Sequence, residues 1–409
     1  MAVGKNELPK FNVIDGLRLG VACAGIKKEN RKDLVIIEMA LGSACAGVFT
    51  QNAFCAAPVT ICKQNLTNSI AQSSAAYLLI NTGNANAGTG EQGMADAQEC
   101  CRALGQETGV EDVAILPFST GVIGETLPVE KITKSLSSAL NNLSPDQWSS
   151  AAEGIMTTDT RPKGAAATVS YAGHTLSFSG ISKGAGMIKP NMATMLAFVA
   201  TDAKLSDELC HSLLTELADL SFNRITIDGD TSTNDSCILI ATGSASAPQI
   251  EANHPDFPAF KATLKQVLVD LAQAIVRDGE GATKFVTVSV EQAKNKEEAL
   301  ETAYTIAHSP LVKTALFASD PNWGRILAAL GRSPIPDFDL SKVAVYLNDV
   351  CIVEQGGRSA SYREEDGQAV MDQHEILIRV VLGRGGHTET VWTTDLSHEY
   401  VTINADYRT

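Results

Sequence analysis

The sequence predicts a mixed α and β fold, and three observations carry that reading. Short apolar and β-branched runs lie at residues 34–39, 76–81, 113–118 and 237–242. Two longer segments repeat apolar residues at helical spacing, and the last third of the chain carries further strand-like runs.

Residues 34–39 (LVIIEM), 76–81 (AYLLIN) and 113–118 (VAILPF) are short, apolar and bounded by polar residues, as buried strands are. Residues 206–222 begin at Ser206, a helix-start residue whose side chain can take an orphan backbone N–H. Residues 237–242 (CILIAT) return to the strand pattern. Residues 257–278 place Leu264, Val267, Leu268, Leu271 and Ile275 on one helical stripe that closes at Gly279. Strands follow at 343–347, 375–381 and 387–392. No linker or internal repeat marks a domain boundary.

Composition excludes several classes. The 409 residues are 44% hydrophobic and 19% charged, enough for a well-buried core in two or three subdomains. A net charge of −15 argues against nucleic acid, whose binding draws on clustered Lys and Arg. No apolar run approaches a membrane span, and the first 33 residues lack a signal or transit pattern, so the expected location is the cytoplasm. Nine scattered cysteines form no CxxC pair, and Cys100-Cys101 sits in an Ala-rich helical stretch that reads as structural filler. Seven dispersed histidines give no metal motif, so neither a metal nor a tightly held cofactor is expected.

Small polar residues fall instead in blocks: 81–90, 119–124, 228–235 and 278–283. Loops of this kind often line sites. The first lacks GxGxxG spacing and reads as a turn. The third offers Asp228, Asp230 and Asp235, but Ser232 and Leu239 stand where a calcium loop needs ligands, so it reads as a structural polar turn near the site. Asn322-Trp-Gly-Arg325 is expected to order the core beside that site.

A further Gly-rich segment, Lys183-Gly-Ala-Gly-Met187 followed by Pro190-Asn-Met-Ala-Thr194, runs into the apolar stretch Met195-Leu-Ala-Phe-Val-Ala200. Thr194 at this junction is either a strand-opening β-branched residue or a nucleophile. Were the chain cut after Ala193, Thr194 would carry a hydroxyl and its own general base, the α-amine, whose ordinary pKa near 8 suits proton transfer at neutral pH.

With Met156-Thr-Thr-Asp-Thr160, Asp278-Gly-Glu-Gly-Ala-Thr-Lys284, Ser319-Asp-Pro-Asn-Trp-Gly-Arg325 and the terminus 404–409, these motifs make the chain resemble, over nearly its whole length, the glutamate N-acetyltransferases, or ornithine acetyltransferases, of arginine biosynthesis. The resemblance implies an α+β fold: a four-layer α-β-β-α sandwich with a further C-terminal α/β domain at roughly 285–409. It also implies self-cleavage at Ala193-Thr194 into chains 1–193 and 194–409, which stay associated and assemble as a heterotetramer of two copies of each.

The implied reaction moves an acetyl group from N2-acetylornithine through acetyl-Thr194 to glutamate. Thr120 and Gly121 would form the oxyanion hole. Thr157, Lys183, Thr194, Glu280, Asn404 and Thr409 would bind substrate: Lys183 as the cation for an α-carboxylate, Glu280 as the anion for an ammonium, and Thr157 chosen over its neighbour Thr158. Acetyl-CoA is a possible second donor. A self-processing aminopeptidase or amidohydrolase, with water as acceptor, and an uncleaved binding protein stay open beside this reading.

Overall fold

The computed structural model describes residues 2–4, 7–72, 76–189 and 195–406. Two sheets stacked face to face form its centre. The first runs β1 (Leu17–Ala22), β2 (Leu34–Met39), β4 (Tyr77–Asn84) and β5 (Ile115–Val122), with only the last pair parallel. The second runs β3 (Ala44–Phe49), β9 (Ser236–Ala241), β8 (Leu196–Thr201), β7 (His174–Lys183) and β6 (Lys163–Tyr171), with β8 and β9 parallel.

Alternation along the strands explains the stacking. In β8, Leu196, Phe198 and Ala200 face the first sheet, while Ala197 and Val199 face away. In β9, Ile238 and Ile240 face inward, with Cys237 and Leu239 outward. Both faces are apolar, so both must be covered. Between the sheets, Phe118 of β5 meets Phe198 of β8 edge to face with centroids 5.1 Å apart, a geometry contributing about 0.5–1.5 kcal/mol beyond burial.

Helices close the outer faces. α2 (Gly90–Thr108) and α3 (Val129–Asn141) cover the first sheet through Cys100, Cys101, Leu104, Ile132 and Leu136. α5 (Asp207–Asp219) and α6 (Phe257–Arg277) cover the second. α1 (Ala57–Gln72) and α4 (Trp148–Gly154) add residues such as Cys62 and Trp148 to the core between the sheets. The order helix, sheet, sheet, helix is the four-layer sandwich that the family resemblance implied. Burial pushes the Cys100 thiol up to about 12 and Cys101 higher still, consistent with a packing role.

All strands of a third sheet lie within 285–394: β10 (Phe285–Ala293), β11 (Ala344–Leu347), β12 (Val350–Glu354), β13 (Gly357–Arg358), β14 (Glu375–Val381) and β15 (His387–Thr394). α7 (Lys296–Ala307), α8 (Pro310–Phe317), α9 (Trp323–Gly331) and α10 (Glu364–Met371) build a separate core on it. α11 (His398–Ala405) returns towards the sandwich.

Several boundaries differ from the sequence reading. Residue 113 belongs to a 3-10 turn, Asp112–Ala114, that precedes β5. Ser206 is the N-cap of α5, its hydroxyl accepting from Leu209 N at 3.2 Å, and α5 stops at Asp219. The hairpin β6–β7 gave no signal in the sequence. Its two-residue turn, Ala172-Gly173, has φ of 49° and 82°, the pairing a twisted hairpin needs, without the Asn-Gly that usually announces it. Asn322-Trp-Gly-Arg325 caps α9, with Trp323 on the third-sheet core, so it orders that core and not the sandwich.

Candidate active site

A cavity of about 190 Å³ opens where the two sheets, the loop after α6 and α11 converge. Thr120 and Gly121 reach it from β5, Thr157 and Thr158 from the turn after α4, Lys183 from the end of β7, Glu280 from the loop after α6, and Asn404 from α11. Every substrate-binding or oxyanion residue named from the sequence that lies among the described residues is in its wall. Thr157 and Thr158 both line it. Ala193, Thr194 and Thr409 lie outside the described residues; Met195 and Leu196 line the cavity.

Gly121 is required by its backbone. Its φ is +137°, and a Cβ there would overlap the Gly83 carbonyl on β4. Beside it, the Lys183 ammonium donates to the Thr120 hydroxyl at 3.1 Å. Lys183 is buried. That burial pushes its pKa down, Asp159 opposes the shift, Lys163 adds to it, and Asp235 and Glu280 oppose it.

Asp159, absent from the sequence reading as a site residue, holds this corner together. Its carboxylate accepts from Gly184 N at 2.8 Å and Thr157 N at 2.9 Å. It pairs with the buried Lys163 at 2.5 Å, and Lys163 also meets Asp278 at 2.6 Å. Burial alone would raise Asp159, but Lys163, then Lys183 and the Gly184 N–H, hold its carboxyl well below the usual carboxylate range.

Glu280 is placed by two contacts: its N–H donates to Ala185 O at 2.7 Å, and its Oε2 accepts from Asn404 Nδ2 at 2.6 Å. Glycine at 186 leaves room for it, since a Cβ there would lie 2.5 Å from Oε2. Asp228 accepts from Met187 N at 2.6 Å and Ile188 N at 2.9 Å, and Tyr400 of α11 donates to it at 3.2 Å.

The polar turn at 228–235 is thus part of the site's frame, and its end is part of the wall. Asn234 donates to Ala85 O at 2.6 Å and Ser119 O at 2.9 Å, tying the second sheet to the strand that carries Thr120. Asp235 lines the cavity beside it. The block is the structural polar turn near the site that the sequence suggested; its particular contacts are not legible there, because the Asn234 partners lie more than a hundred residues away in the chain.

A second cavity of about 190 Å³ shares Gly121, Thr157 and Thr158 with the first and is rimmed by Lys27, Lys28 and Arg31. Arg31 donates to Met156 O at 2.7 Å and Thr157 O at 3.2 Å. Among the described residues no group of three His, Cys, Asp or Glu side chains is placed to hold a metal ion, and no helix is long and apolar enough to cross a membrane.

Over 410 residues, covering all of both chains, the protein is 59% identical to the arginine biosynthesis bifunctional protein ArgJ of Pseudomonas syringae pv. tomato and 58% identical to that of Pseudomonas fluorescens. A chain in the crystal structure of arginine biosynthesis bifunctional protein argJ from Bacillus halodurans is 38% identical, covers 51% of this chain and 97% of its own, and superposes with a TM-score of 0.49. The ArgJ family pattern matches residues 18–409, and with identity at this level over the full length, the chain belongs to the ArgJ family.

Proposed function

We infer that the protein transfers an acetyl group from N2-acetylornithine to glutamate in arginine biosynthesis, giving ornithine and N-acetylglutamate, after cutting itself between Ala193 and Thr194. The observation that carries this reading is the single cavity holding Thr120, Gly121, Thr157, Lys183, Glu280 and Asn404 next to Met195. It offers a cation, an anion and short hydrogen-bonding groups to a substrate bearing a carboxylate and an amine.

The Thr194 hydroxyl first attacks the Ala193 carbonyl; the Ala193–Thr194 C–N bond breaks as the ester forms, freeing the α-amine, and water then hydrolyses the ester to the Ala193 carboxylate and the free hydroxyl. That amine then takes the hydroxyl proton as Thr194 attacks the acetyl carbonyl of acetylornithine. The oxyanion is met by the Gly121 N–H and by the Thr120 hydroxyl, which accepts from Lys183 and so directs its own hydrogen elsewhere. Collapse releases ornithine, whose nitrogen takes the proton back. Glutamate attacks the acetyl-threonine by the same steps reversed.

Strand pairing supports an enzyme that survives its own cut as chains 1–193 and 194–409. β7 pairs with β8 from Phe178↔Thr201 to Lys183↔Leu196, and β3 pairs with β9, so the second sheet interleaves both chains. Two copies of each would form the heterotetramer, acting in the cytoplasm. The second cavity, with Lys27, Lys28 and Arg31 at its rim and Gly121 in its wall, suits the phosphates of acetyl-CoA as an alternative donor. No resident cofactor is needed.

The test is a pair of measurements. Intact mass should give two chains that split at Ala193-Thr194, and Thr194→Ala should give one inactive chain. Purified enzyme with acetylornithine and glutamate should then release ornithine and acetylglutamate in equal amounts. Free acetate without acetylglutamate would mean hydrolysis, the aminopeptidase-like reaction, and would overturn the transfer.

A further inference from the structure

The two amino acids of the inferred reaction carry opposite side-chain charges. Both have an α-carboxylate for Lys183, but ornithine ends in an ammonium and glutamate in a carboxylate. The catalytic cavity suits only the first. Among the described residues its wall holds one cation, Lys183, against the acidic side chains Asp235 and Glu280. With Glu280 engaging the ornithine ammonium, a glutamate side chain laid along the same path would meet a like charge inside a confined site, where repulsion is stronger than in water.

The second cavity has the opposite character. It meets the first along Gly121, Thr157 and Thr158, so a ligand centred at the Gly121 N–H can extend to either side of that partition. Its wall sets Lys27, Lys28 and Arg31 against Asp33 and Asp406. Asp33 turns both carboxylate oxygens onto backbone: Oδ1 accepts from Ala24 N at 2.6 Å and Oδ2 from Ile26 N at 2.7 Å. The balance facing the space is therefore basic.

The fold places these cations. Asp33 holds the 24–26 turn that leads into Lys27. Gly83 of β4, at φ +107°, lets that turn lie against the strand, since a Cβ there would stand 3.0 Å from the Lys27 Cβ. The bonds from Arg31 to Met156 O and Thr157 O set its guanidinium against the partition itself.

We propose that the second cavity is the side-chain subsite of the acceptor: the γ-carboxylate of glutamate lies among Lys27, Lys28 and Arg31, while the ornithine ammonium of the donor lies across the partition at Glu280. This rests on the acetyltransferase reading given above and assigns where each substrate of that reaction is told apart. Opposite side chains take opposite directions from one transfer point, and each cavity rejects the charge the other accepts. In a ping-pong cycle the donor product leaves before glutamate binds, so the phosphates of acetyl-CoA and the γ-carboxylate would use the basic wall in turn.

The two half-reactions separate the subsites. Labelled ornithine exchanging into acetylornithine reads the donor half alone, and labelled glutamate exchanging into acetylglutamate reads the acceptor half alone. Native enzyme must show both exchanges; if it lacks either, the acetyl-transfer reading fails whatever the variants do. Given both, Lys28→Glu should raise KM for glutamate about tenfold, and Lys27→Glu with Lys28→Glu about 100-fold, each with KM for acetylornithine within about threefold. Both lysines are exposed, so these variants keep the core. Glu280→Gln should do the reverse, raising KM for acetylornithine about tenfold and leaving that for glutamate within about threefold or lower.

Unchanged glutamate exchange in the double lysine variant overturns the proposal, because the γ-carboxylate then lies elsewhere. Equal losses in both exchanges overturn it too, since the lysines would then serve no one substrate. So does Glu280→Gln weakening glutamate as much as acetylornithine, which would put both side chains in the first cavity.

Discussion

Lys183 on β7 donates from its ammonium to the Thr120 hydroxyl on β5, joining the two stacked sheets by one 3.1 Å hydrogen bond at the floor of the cavity. The bond orients a hydroxyl that, in the proposed reaction, gives its own hydrogen to the oxyanion. If Lys183 acts on kcat through Thr120, the two residues are coupled.

Thr120→Val should therefore lower kcat by about 10²–10³-fold, and adding Lys183→Met should lower it by less than the product of the single losses, with a coupling of about 0.5–3 kcal/mol. Steady-state kinetics of the double-mutant cycle reads this. Losses that multiply would show that Lys183 acts on substrate alone.

Asn404 reaches from α11 to Glu280 across 2.6 Å, so the end of the chain shapes the anionic side of the cavity. Asn404→Ala should raise KM for acetylornithine about tenfold, the loss of one hydrogen bond to a charged group at about 1.5 kcal/mol. Removing 404–409 should abolish turnover while leaving cleavage intact. Normal turnover in the truncated protein would take the C-terminus out of the site.

What the sequence disclosed followed from how local each signal is. Strands 34–39 and 375–381 and the α6 stripe carry their evidence in consecutive residues, and they emerged within a residue or two. The β6–β7 hairpin, rich in Ala, Ser and Thr, has a burial pattern set by α6 and by neighbouring strands, which no short window contains. Thr120, Lys183 and Glu280 could be named through motif resemblance. Asp159 and Asn234 could not, because their meaning lies in partners such as Gly184, Ser119 and Ala85 that only the folded chain brings near.

Lys163 sits between Asp159 and Asp278, all three side chains 1% exposed or less. Lys163→Met would leave two carboxylates buried without their cation. The expected cost is about 3–5 kcal/mol, read as a lower denaturant midpoint at pH 7. A change below about 1 kcal/mol would mean that Arg161 and the surrounding N–H groups suffice.

His308, at the C-terminal end of α7, supplies a pH-dependent prediction. Its Nε2 lies 3.0 Å from Thr226 Oγ1, and that hydroxyl donates to Ile188 O at 2.9 Å, so His308 must be the donor and holds its proton on Nε2. Burial pushes its pKa down from 6.5 to about 4, with Lys189, Lys313 and Arg332 adding to the shift. The unfolded chain therefore binds more protons than the folded one between those values. Stability is fully present above about pH 6.5 and is lost as the pH falls towards 4, by up to about 3 kcal/mol. His308→Gln keeps a donor for Thr226 but cannot titrate. Urea unfolding at pH 7 and pH 4.5 should show a drop in the native protein larger by about 2–3 kcal/mol than in the variant. Equal drops in both would place the acid sensitivity elsewhere.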